Sequence, residues 1–359
     1  MEYKGRTFYK VIREDLTHNA MVYRLGLNTD PVKFNPSGSC QSGGLYFTDF
    51  AHLGRFYDYG ELVAIITIPK NARVYKDPDE DKWKADRFII ERFESIDSYW
   101  SDQTFCLDAV KQDGYALEYV KNQTYEICME AVKQNGYALE YVSKQTNELC
   151  LEAVKGDGYA LEHVKKQTKE ICLEAVKQNG LALKFVDMDI KTNEICLEAV
   201  KKYGLALRFV DIKTNEICLE AVKQNGNAIE YVKNQTHELC LDAVKQNGNA
   251  IKYVDIKSND ICSEAVKQDV NALEYVKNQT NEMCLNAVKQ NGNGIRYVKN
   301  QTYELCLEAV KQDGNAIRYV KNQTYELCLE AVKQDVNAIE YVEKQFYDVC
   351  LEAMKQYVK

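Results

Sequence analysis

The sequence predicts a small α+β domain over residues 1–96, followed over residues 97–359 by an all-α solenoid of about eleven short helical hairpins and a C-terminal capping helix. The first observation is a repeat, because cysteines recur every 22 residues from Cys106 to Cys350, with one interval of 24 between Cys172 and Cys196. The second is that all four prolines precede the repeats, which therefore lack the strongest helix breaker. The third is the abundance of aromatic and β-branched residues in residues 1–96, which is typical of strands.

The N-terminal domain is predicted from short apolar runs separated by turn residues. The segments "TFYKVIR", "LVAIITI" and "RFIIERF" have the composition of strands, and "NPSGSCQSGGLYFTD" is a turn-rich loop that runs into another strand. The segment "DFAHLGRFYDYG" is expected to form a short helix that ends at Gly60.

Each repeat follows the pattern T-x-E-I-C-L-E-A-V-K-Q-N-G-x-A-L-E-Y-V-K-N-Q. In the unit around Cys128, Thr124 is a predicted N-cap and a first helix runs from about residue 125 to 134. A second, shorter helix follows from about residue 137 to 143, and such short helices depend on stacking for stability. The glycine between them, Gly136, is expected to be a left-handed C′ residue. Val270 and Val336 replace that glycine in two units, so Asp269 and Asp335 are expected to take the left-handed conformation there, unless the turn does without it.

A continuous helix is the alternative to hairpins, because 22 is twice the 11-residue period of long supercoiled helices. The segment "FVDMDIKTNE" from Phe185 is two residues longer than its counterpart "FVDIKTNE" from Phe209. In a continuous helix two extra residues would turn the apolar stripe by about 200°. In a hairpin stack they lie in a surface loop and cost little, so the insertion favours hairpins.

The cysteines are predicted to be buried packing residues. Neighbouring repeats stack about 8–10 Å apart, whereas a disulfide requires Cα atoms within about 7 Å. Each repeat supplies one cysteine, too few for a zinc site. We therefore predict no metal and no cofactor. The formal net charge of −8 argues against general binding to nucleic acid or membrane surfaces, and no apolar stretch is long enough to span a membrane.

Partner-binding residues are expected where equivalent positions vary between repeats. One variable position follows the threonine cap, and another lies in the second helix beside a ladder of aromatic residues. The candidates at the first position are Tyr125, His237, Tyr303 and Tyr325, and those at the second are Lys184, Arg208, Lys252, Arg296 and Arg318. An alternative is an RNA-binding solenoid that uses the aromatic ladder for stacking and a column of lysines, such as Lys133, for phosphates.

Catalytic alternatives concern the N-terminal domain, although we predict no catalytic residues. Cys40 is a conceivable nucleophile with His18 or His52 as its base. The order of "FYKVI", "GGLYFTD", "YGELVAIITIP" and "RFIIERF" resembles an ADP-ribosyltransferase-like fold. That resemblance implies roles for Tyr46, Thr48 and Glu91, but Tyr9 and Lys10 stand where the fold carries a histidine or arginine, so activity is not expected.

Two further motifs resemble proteins of giant DNA viruses of the mimivirus family. "GLNTDPVKFNPSGSCQSGGLYFTD" and "DKWKADRFII" resemble a module that precedes repeat arrays in those viruses, and the "CLEAVKQNGYALEYV" units resemble a helical repeat family of the same viruses. The resemblance implies a viral protein in the host cytoplasm. We therefore predict a non-enzymatic adaptor that binds host or viral proteins.

Overall fold

The computed structural model describes residues 3, 5–18, 21–37, 41–77, 82–344 and 346–357. It contains a sheet-rich N-terminal module followed by a regular array of repeats, each made of one α-helix and one 3-10 helix, and the array ends in an α-helix. The predicted fold class is therefore confirmed. The chain forms two compact units, Met1–Ile190 and Lys191–Lys359, and the division falls just after the two-residue insertion. The domain boundary after residue 96 stays a prediction.

The N-terminal module forms three antiparallel sheets, and four of its described strands fall in the segments predicted from their aromatic and β-branched residues. Its described strands are β1 (Phe8–Ile12), β2 (Thr17–His18), β3 (Met21–Val22), β4 (Gly26–Thr29), β5 (Leu45–Phe47), β6 (Leu62–Thr67), β7 (Val74–Lys76), β8 (Trp83–Ala85) and β9 (Arg87–Ser95). The sheets have the orders β1-β6-β9-β4, β5-β8-β7 and β2-β3. In the first of them, β6 pairs with β9 around a bulge between Ile65 and Ile66.

The core of the module lies between the two larger sheets. Phe8 packs against Phe47 and Trp83, with ring centroids 5.0 and 5.5 Å apart. A bridge between Tyr9 and Thr48 connects β1 to the end of β5. The segment predicted as one short helix instead forms two 3-10 helices, Phe50–His52 and Gly54–Tyr59.

The repeats have the predicted hairpin order. Their described α-helices are α1 (Gln103–Gln112), α2 (Tyr125–Gln134), α3 (Asn147–Gly156), α4 (Lys169–Gln178), α5 (Asn193–Lys202), α6 (Asn215–Gln224), α7 (His237–Gln246), α8 (Asn259–Gln268), α9 (Asn281–Gln290), α10 (Tyr303–Gln312), α11 (Tyr325–Gln334) and α12 (Tyr347–Tyr357). The 3-10 helices that follow α1 to α11 are Gly114–Tyr119, Gly136–Tyr141, Gly158–His163, Gly180–Phe185, Gly204–Phe209, Gly226–Tyr231, Gly248–Tyr253, Val270–Tyr275, Gly292–Tyr297, Gly314–Tyr319 and Val336–Tyr341.

Side-chain caps define both helices of a repeat. The hydroxyl of Thr124 accepts a hydrogen bond from the N–H of Ile127 at 3.3 Å, which confirms the predicted N-cap of α2. Asn135 then ends α2 in an extended conformation, and its Oδ1 accepts from the N–H of Tyr137 at 3.0 Å. This second cap begins the 3-10 helix, which has only six residues and leaves its side chains at i and i+3 on one face.

The prediction that the repeat glycines are left-handed is wrong. Among the described residues, the glycines with positive φ are Gly5, Gly26, Gly43 and Gly44, all in the N-terminal module. Gly226, by contrast, is the first residue of a 3-10 helix, and a β-carbon there would lie 2.3 Å from the carbonyl oxygen of Ala243 in the next repeat. The repeats therefore require glycine because two backbones approach closely.

Where Val270 replaces the glycine, the residue that faces it in the next 3-10 helix is changed as well. In an ordinary repeat, a β-carbon on Gly136 would lie 3.3 Å from the Cβ of Ala160 in the next 3-10 helix. Where Val270 replaces the glycine, the equivalent of that alanine is Gly294, and a β-carbon on Gly294 would lie 2.7 Å from the Val270 Cγ1. Asp269 is extended at φ −147°, so the turn does without a left-handed residue.

Within the first compact unit, the N-terminal module packs on the first repeat. Arg55 donates to Asp108 at 2.9 Å, and the hydroxyl of Tyr57 donates to Asp113 at 2.7 Å. Trp100 packs against Phe105, with ring centroids 4.9 Å apart. The module therefore covers the start of the stack, where an unpaired repeat would expose its apolar face.

Val270 and Gly294, which replace the usual glycine and alanine, can be tested with a double-mutant cycle. We expect Gly294→Ala to lower the free energy of unfolding by about 1–3 kcal/mol, because the new β-carbon overpacks against the stiff valine. Val270→Gly in the same chain should recover most of that loss by restoring the ordinary glycine–alanine pair. Urea unfolding of the single and double variants measures the coupling.

Gly156→Ala is the matched control, because a β-carbon at Gly156 meets nothing within 4 Å. It should be neutral or stabilising by up to about 1 kcal/mol through helix propensity. Purely additive effects of the substitutions at residues 270 and 294 would contradict the pairing.

Candidate interaction surface

Three positions of each 3-10 helix form the exposed surface that we call the 3-10 face. They are the second, fifth and sixth residues of the helix. The fifth residue is exposed in every repeat, and the second and sixth are exposed or half-buried. The sixth residues are the aromatic ladder: Tyr119, Tyr141, His163, Phe185, Phe209, Tyr231, Tyr253, Tyr275, Tyr297, Tyr319 and Tyr341.

The nine predicted partner-binding residues fall into two separate groups. Lys184, Arg208, Lys252, Arg296 and Arg318 are fifth residues of their 3-10 helices and lie on the 3-10 face. The other group begins α-helices, and its members are Tyr125, His237, Tyr303 and Tyr325. Tyr125 and Tyr303 are about half exposed. His237 lies 2.8 Å from the carboxylate of Asp260, and Tyr325 packs edge-on against Phe346. Whether either group binds a partner stays a prediction.

The basic residues of the 3-10 face lie over the aromatic ladder. The distance from the charged group to the ring centroid of the following residue is 4.2 Å for Lys184, 4.4 Å for Arg208 and 4.5 Å for Lys252. It is 4.4 Å for Arg296 and 4.7 Å for Arg318. These distances are those of cation–π contacts, so in five repeats a cation of the same chain covers the ring.

The first repeats pair aromatic rings across neighbouring 3-10 helices. Tyr115 lies edge-on to Tyr141, with centroids 6.1 Å apart and an interplanar angle of 85°. Tyr137 and His163 repeat this pairing at 5.5 Å and 70°. The third pair, Tyr159 and Phe185, has values of 5.9 Å and 88°. Each pair forms two nearly perpendicular walls of a shallow site.

Carboxylates line the first two of these sites. The fifth residues of the first three repeats are Glu118, Glu140 and Glu162, and none of them has a hydrogen bond or ion pair with another described residue. Burial raises the pKa of Tyr141, and the carboxylates of Glu118 and Glu140 raise it further. These glutamates therefore lie close enough to act on the ring electrostatically.

Asparagine replaces the aromatic second residue in later repeats and forms polar contacts instead. The amide of Asn293 donates to Asp313 at 2.5 Å, and that of Asn315 donates to Asp335 at 2.6 Å. Asn271 Oδ1 accepts from Arg296 at 3.1 Å. This second position is not among the predicted partner-binding residues, although its change from tyrosine through leucine to asparagine is visible in the repeats.

The lysine column lies on the α-helices, and some of its lysines pair with acids of the same helix. Lys133 lies 3.4 Å from Glu130 and Lys201 lies 3.2 Å from Glu198, both at i,i+3 spacing. Such pairs are typical of a solvated helix face. They lower the charge available for phosphates, so the RNA-binding alternative stays a hypothesis without support from this surface.

The cysteines of α1 to α11 are buried, as predicted. Burial is the largest cause of the raised pKa of their thiols, which reaches about 11 for Cys106 and Cys172. Buried thiols with a raised pKa are poor nucleophiles. In the part of the chain that the structure describes, no cluster of three or more potential ligands could hold a metal ion.

The residues of the catalytic hypotheses lie at different places in the N-terminal module. The Tyr46 hydroxyl lies 3.3 Å from Lys84 Nζ, Thr48 is buried beside Tyr9, and exposed Glu91 accepts from Thr67 at 2.7 Å. Burial lowers the pKa of Lys10 to about 8, and its ammonium donates to the Tyr46 carbonyl. The transferase-like hypothesis stays a prediction.

The nucleophile hypothesis depends on Cys40, which lies outside the described residues. Of its two proposed bases, His18 has a pKa lowered to about 4 by burial and by nearby cations. His52 lies 2.7 Å from the Asp49 carboxylate.

In most repeats a glutamine before the threonine cap joins neighbouring repeats, whereas Lys191, Lys213 and Lys257 stand at this position in three others. Gln301 Nε2 donates to the carbonyl of Tyr319 at 2.9 Å, while its Oε1 accepts from the N–H of Lys321 at 2.9 Å. The same bridge is formed by Gln123, Gln145, Gln167, Gln235, Gln279 and Gln323.

Lys213 occupies this glutamine position, and its ammonium donates to the carbonyl of Val210 in its own loop at 2.6 Å. The loop of the next repeat therefore lacks its glutamine partner. An open groove of about 460 Å³ lies there, lined by Lys213, Val232 and Lys233 among others.

The described helices include none that combines the length and apolar character needed to cross a membrane.

Comparison with known proteins identifies the repeats. The family described as "Domain of unknown function (DUF4116)" matches in seven segments that together cover more than half of the chain. They span residues 102–147, 124–169, 146–191, 168–213, 192–235, 236–281 and 302–347.

Curated relatives come from Acanthamoeba polyphaga mimivirus, so the resemblance to repeat proteins of that virus family is confirmed. Putative ankyrin repeat protein L100 is 36% identical over 92 residues, which are 24% of this chain and 15% of the relative. Putative ankyrin repeat protein R868 is 28% identical over 91 residues, which are 24% of this chain and 45% of the relative. The chain therefore covers less than half the length of these relatives.

The glutamine bridge predicts opposite effects of two substitutions. Lys213→Gln should raise the free energy of unfolding by about 1–3 kcal/mol, because two hydrogen bonds form across the groove. Gln301→Ala should lower it by a similar amount. Urea unfolding measures both, and Lys233→Gln, beside the same groove but outside the bridging position, is the control. A neutral Lys213→Gln would contradict the bridge as a source of stability.

The buried thiols predict a loss of stability at alkaline pH. Thiols of the unfolded chain ionise near pH 9.0, whereas burial raises the pKa of Cys106 and Cys172 in the folded chain to about 11. The stabilisation is therefore complete below pH 9.0 and is lost as the pH rises toward 11. Thermal unfolding across this range should show it, and Cys172→Ala should reduce the alkaline loss. An unchanged slope in that variant would assign the loss to other groups.

Proposed function

Because the chain belongs to the DUF4116 family of helical repeats, we propose that it is a non-enzymatic adaptor that binds protein partners through its 3-10 face. The partners are host or viral proteins, and the site of action is the host cytoplasm. In this proposal the N-terminal module covers the first repeat and positions the array.

The observation that supports this proposal is where variation falls within the repeats. The buried positions keep nearly the same residues from repeat to repeat, as at Cys128, Ala131 and Val132. The outer side of the α-helices keeps its glutamates and lysines. The 3-10 face changes in charge, size and aromatic character along the chain, although its backbone is the same in every repeat. The residue after the threonine cap also varies, as at Tyr125 and His237. A constant scaffold with variable exposed positions is typical of repeat proteins that bind other proteins.

The naming of the relatives is consistent with this reading, since "ankyrin repeat" denotes another class of stacked helical repeat. Each of those proteins shares only part of its length with this chain, so their names do not define its partner.

Charge reversal on the 3-10 face tests the proposal. The full-length chain carries a tag and is used to capture proteins from infected cells. Nuclease is present so that capture through nucleic acid is excluded. We expect Arg296→Glu with Arg318→Glu to reduce capture of one or more partners about fivefold or more, because two exposed cations are lost from the binding face. Quantitative mass spectrometry measures the ratio to the unaltered chain.

Lys289→Glu with Lys311→Glu is the matched control, because it makes the same change of charge in the same repeats on the outer side of the α-helices. Glutamate already stands at the tested position in other repeats, as at Glu274 and Glu340, so both variants should fold. Equal loss in the two variants, or capture that nuclease abolishes, would contradict a protein adaptor that uses the 3-10 face.

A further inference from the structure

We infer that the 3-10 face of the first repeats binds an extended polypeptide segment carrying two basic side chains three residues apart. The inference rests on the proposed function and names the chemistry of one partner. The binding site consists of two aromatic cages. Cage 1 is formed by Tyr115 and Tyr141 with Glu118 and Glu140, and cage 2 is formed by Tyr137 and His163 with Glu162.

The third ring pair of the same chain shows what such a cage accepts. Tyr159 and Phe185 have nearly the same mutual geometry as the rings of cage 1, with angles of 88° and 85°. The ammonium of Lys184 lies 4.9 Å from the Tyr159 centroid and 4.2 Å from the Phe185 centroid. This third cage is therefore filled by a cation of its own repeat.

Cages 1 and 2 carry an acid where the third cage carries its lysine. Lys184 directly precedes Phe185, and the equivalent residues are Glu140 before Tyr141 and Glu162 before His163. Neither carboxylate has an ion-pair partner among the described residues. Ring faces attract cations, and a neighbouring carboxylate adds to that attraction. Both cages are thus complementary to a positive charge that this part of the chain does not supply.

The spacing of the repeats sets the form of the ligand. Stacked helices are about 8–10 Å apart, and an extended chain rises about 3.3 Å per residue. Every third residue of an extended segment therefore advances by about one repeat. A polyproline II segment, with three residues per turn and about 3.1 Å per residue, also directs those side chains to one side. Lysine or arginine at i and i+3 would reach cages 1 and 2 together.

Peptide binding to the full-length chain tests this inference. The probe is a short fluorescein-labelled peptide in which two arginines are separated by two neutral residues in a proline- and serine-rich background. Fluorescence anisotropy should show saturable binding that weakens with salt. A peptide with glutamine in place of both arginines, and one with adjacent arginines, should each bind about tenfold or more weakly, because they cannot fill both cages.

The variant Glu140→Lys with Glu162→Lys gives both cages the residue that the third cage already carries. We expect it to fold, as circular dichroism would verify, and to lose affinity for the arginine probe by about tenfold or more because its own lysines occupy the rings. Glu230→Lys is the matched control: the same exchange stands in a 3-10 helix whose preceding neighbour offers Leu205 instead of tyrosine, and affinity should not change.

Three outcomes would overturn the inference: equal binding of the arginine and glutamine probes, full affinity in the Glu140→Lys and Glu162→Lys variant, or tighter binding of an acidic peptide or an RNA oligomer at these cages. If capture of proteins still depends on Arg296 and Arg318 in that event, the adaptor function stands and only the cages are dismissed. If the arginine probe binds as expected while capture is insensitive to the whole 3-10 face, the adaptor proposal is the one that fails.

Discussion

The repeats depend on one close approach between backbones. Where the first residue of a 3-10 helix is a glycine such as Gly226, it lies against the carbonyl of an alanine in the next α-helix, and the distance leaves no room for a β-carbon. Val270 and Val336 begin two of the 3-10 helices with a larger residue. Opposite Val270, the next 3-10 helix has Gly294 in place of the usual alanine, which makes room for the valine side chain. Where a 3-10 helix begins at this contact, the position of the contact fixes where the rest of that helix is presented.

A second constraint fixes the other end of the 3-10 helix. The bridging glutamine of the preceding repeat holds the carbonyl of the sixth residue and the N–H two positions later, as Gln301 does with Tyr319 and Lys321. With both ends held by these contacts, the second, fifth and sixth side chains are exposed or half-buried and can change from repeat to repeat. The contacts that they make across repeats change with them, from ring pairs such as Tyr115 and Tyr141 to hydrogen bonds such as that between Asn293 and Asp313.

Much of the array follows from local signals that the sequence contains. The period of the cysteines, the threonine caps and the apolar stripe predicted the bounds of α2 correctly. In the N-terminal module the predicted segments contain β1, β5, β6 and β9, whereas the strands β2, β3, β4, β7 and β8 were not predicted. The role of glycine was not predictable in this way, because a C′ glycine and a glycine at a close contact look the same in one sequence. The cages were missed for a related reason: their rings, such as Tyr115 and Tyr141, come from different repeats and meet only through stacking. The repeat period aligns equivalent positions, so it does not show which non-equivalent positions of neighbouring repeats come into contact.

The charge of the 3-10 face differs between repeats, and the contacts of its basic residues with the aromatic rings explain the difference. In the third cage and in the repeats of Arg208, Lys252, Arg296 and Arg318, each basic residue lies over a ring of its own repeat, so the surface there is largely satisfied within the chain. In the first two cages, glutamate occupies the position from which a lysine or arginine would reach the ring. A carboxylate beside an aromatic ring raises the local negative potential, and an exposed glutamate gains nothing from a neighbouring ring face. The arrangement becomes favourable once a cation enters between them, and that cation must come from another segment or another protein.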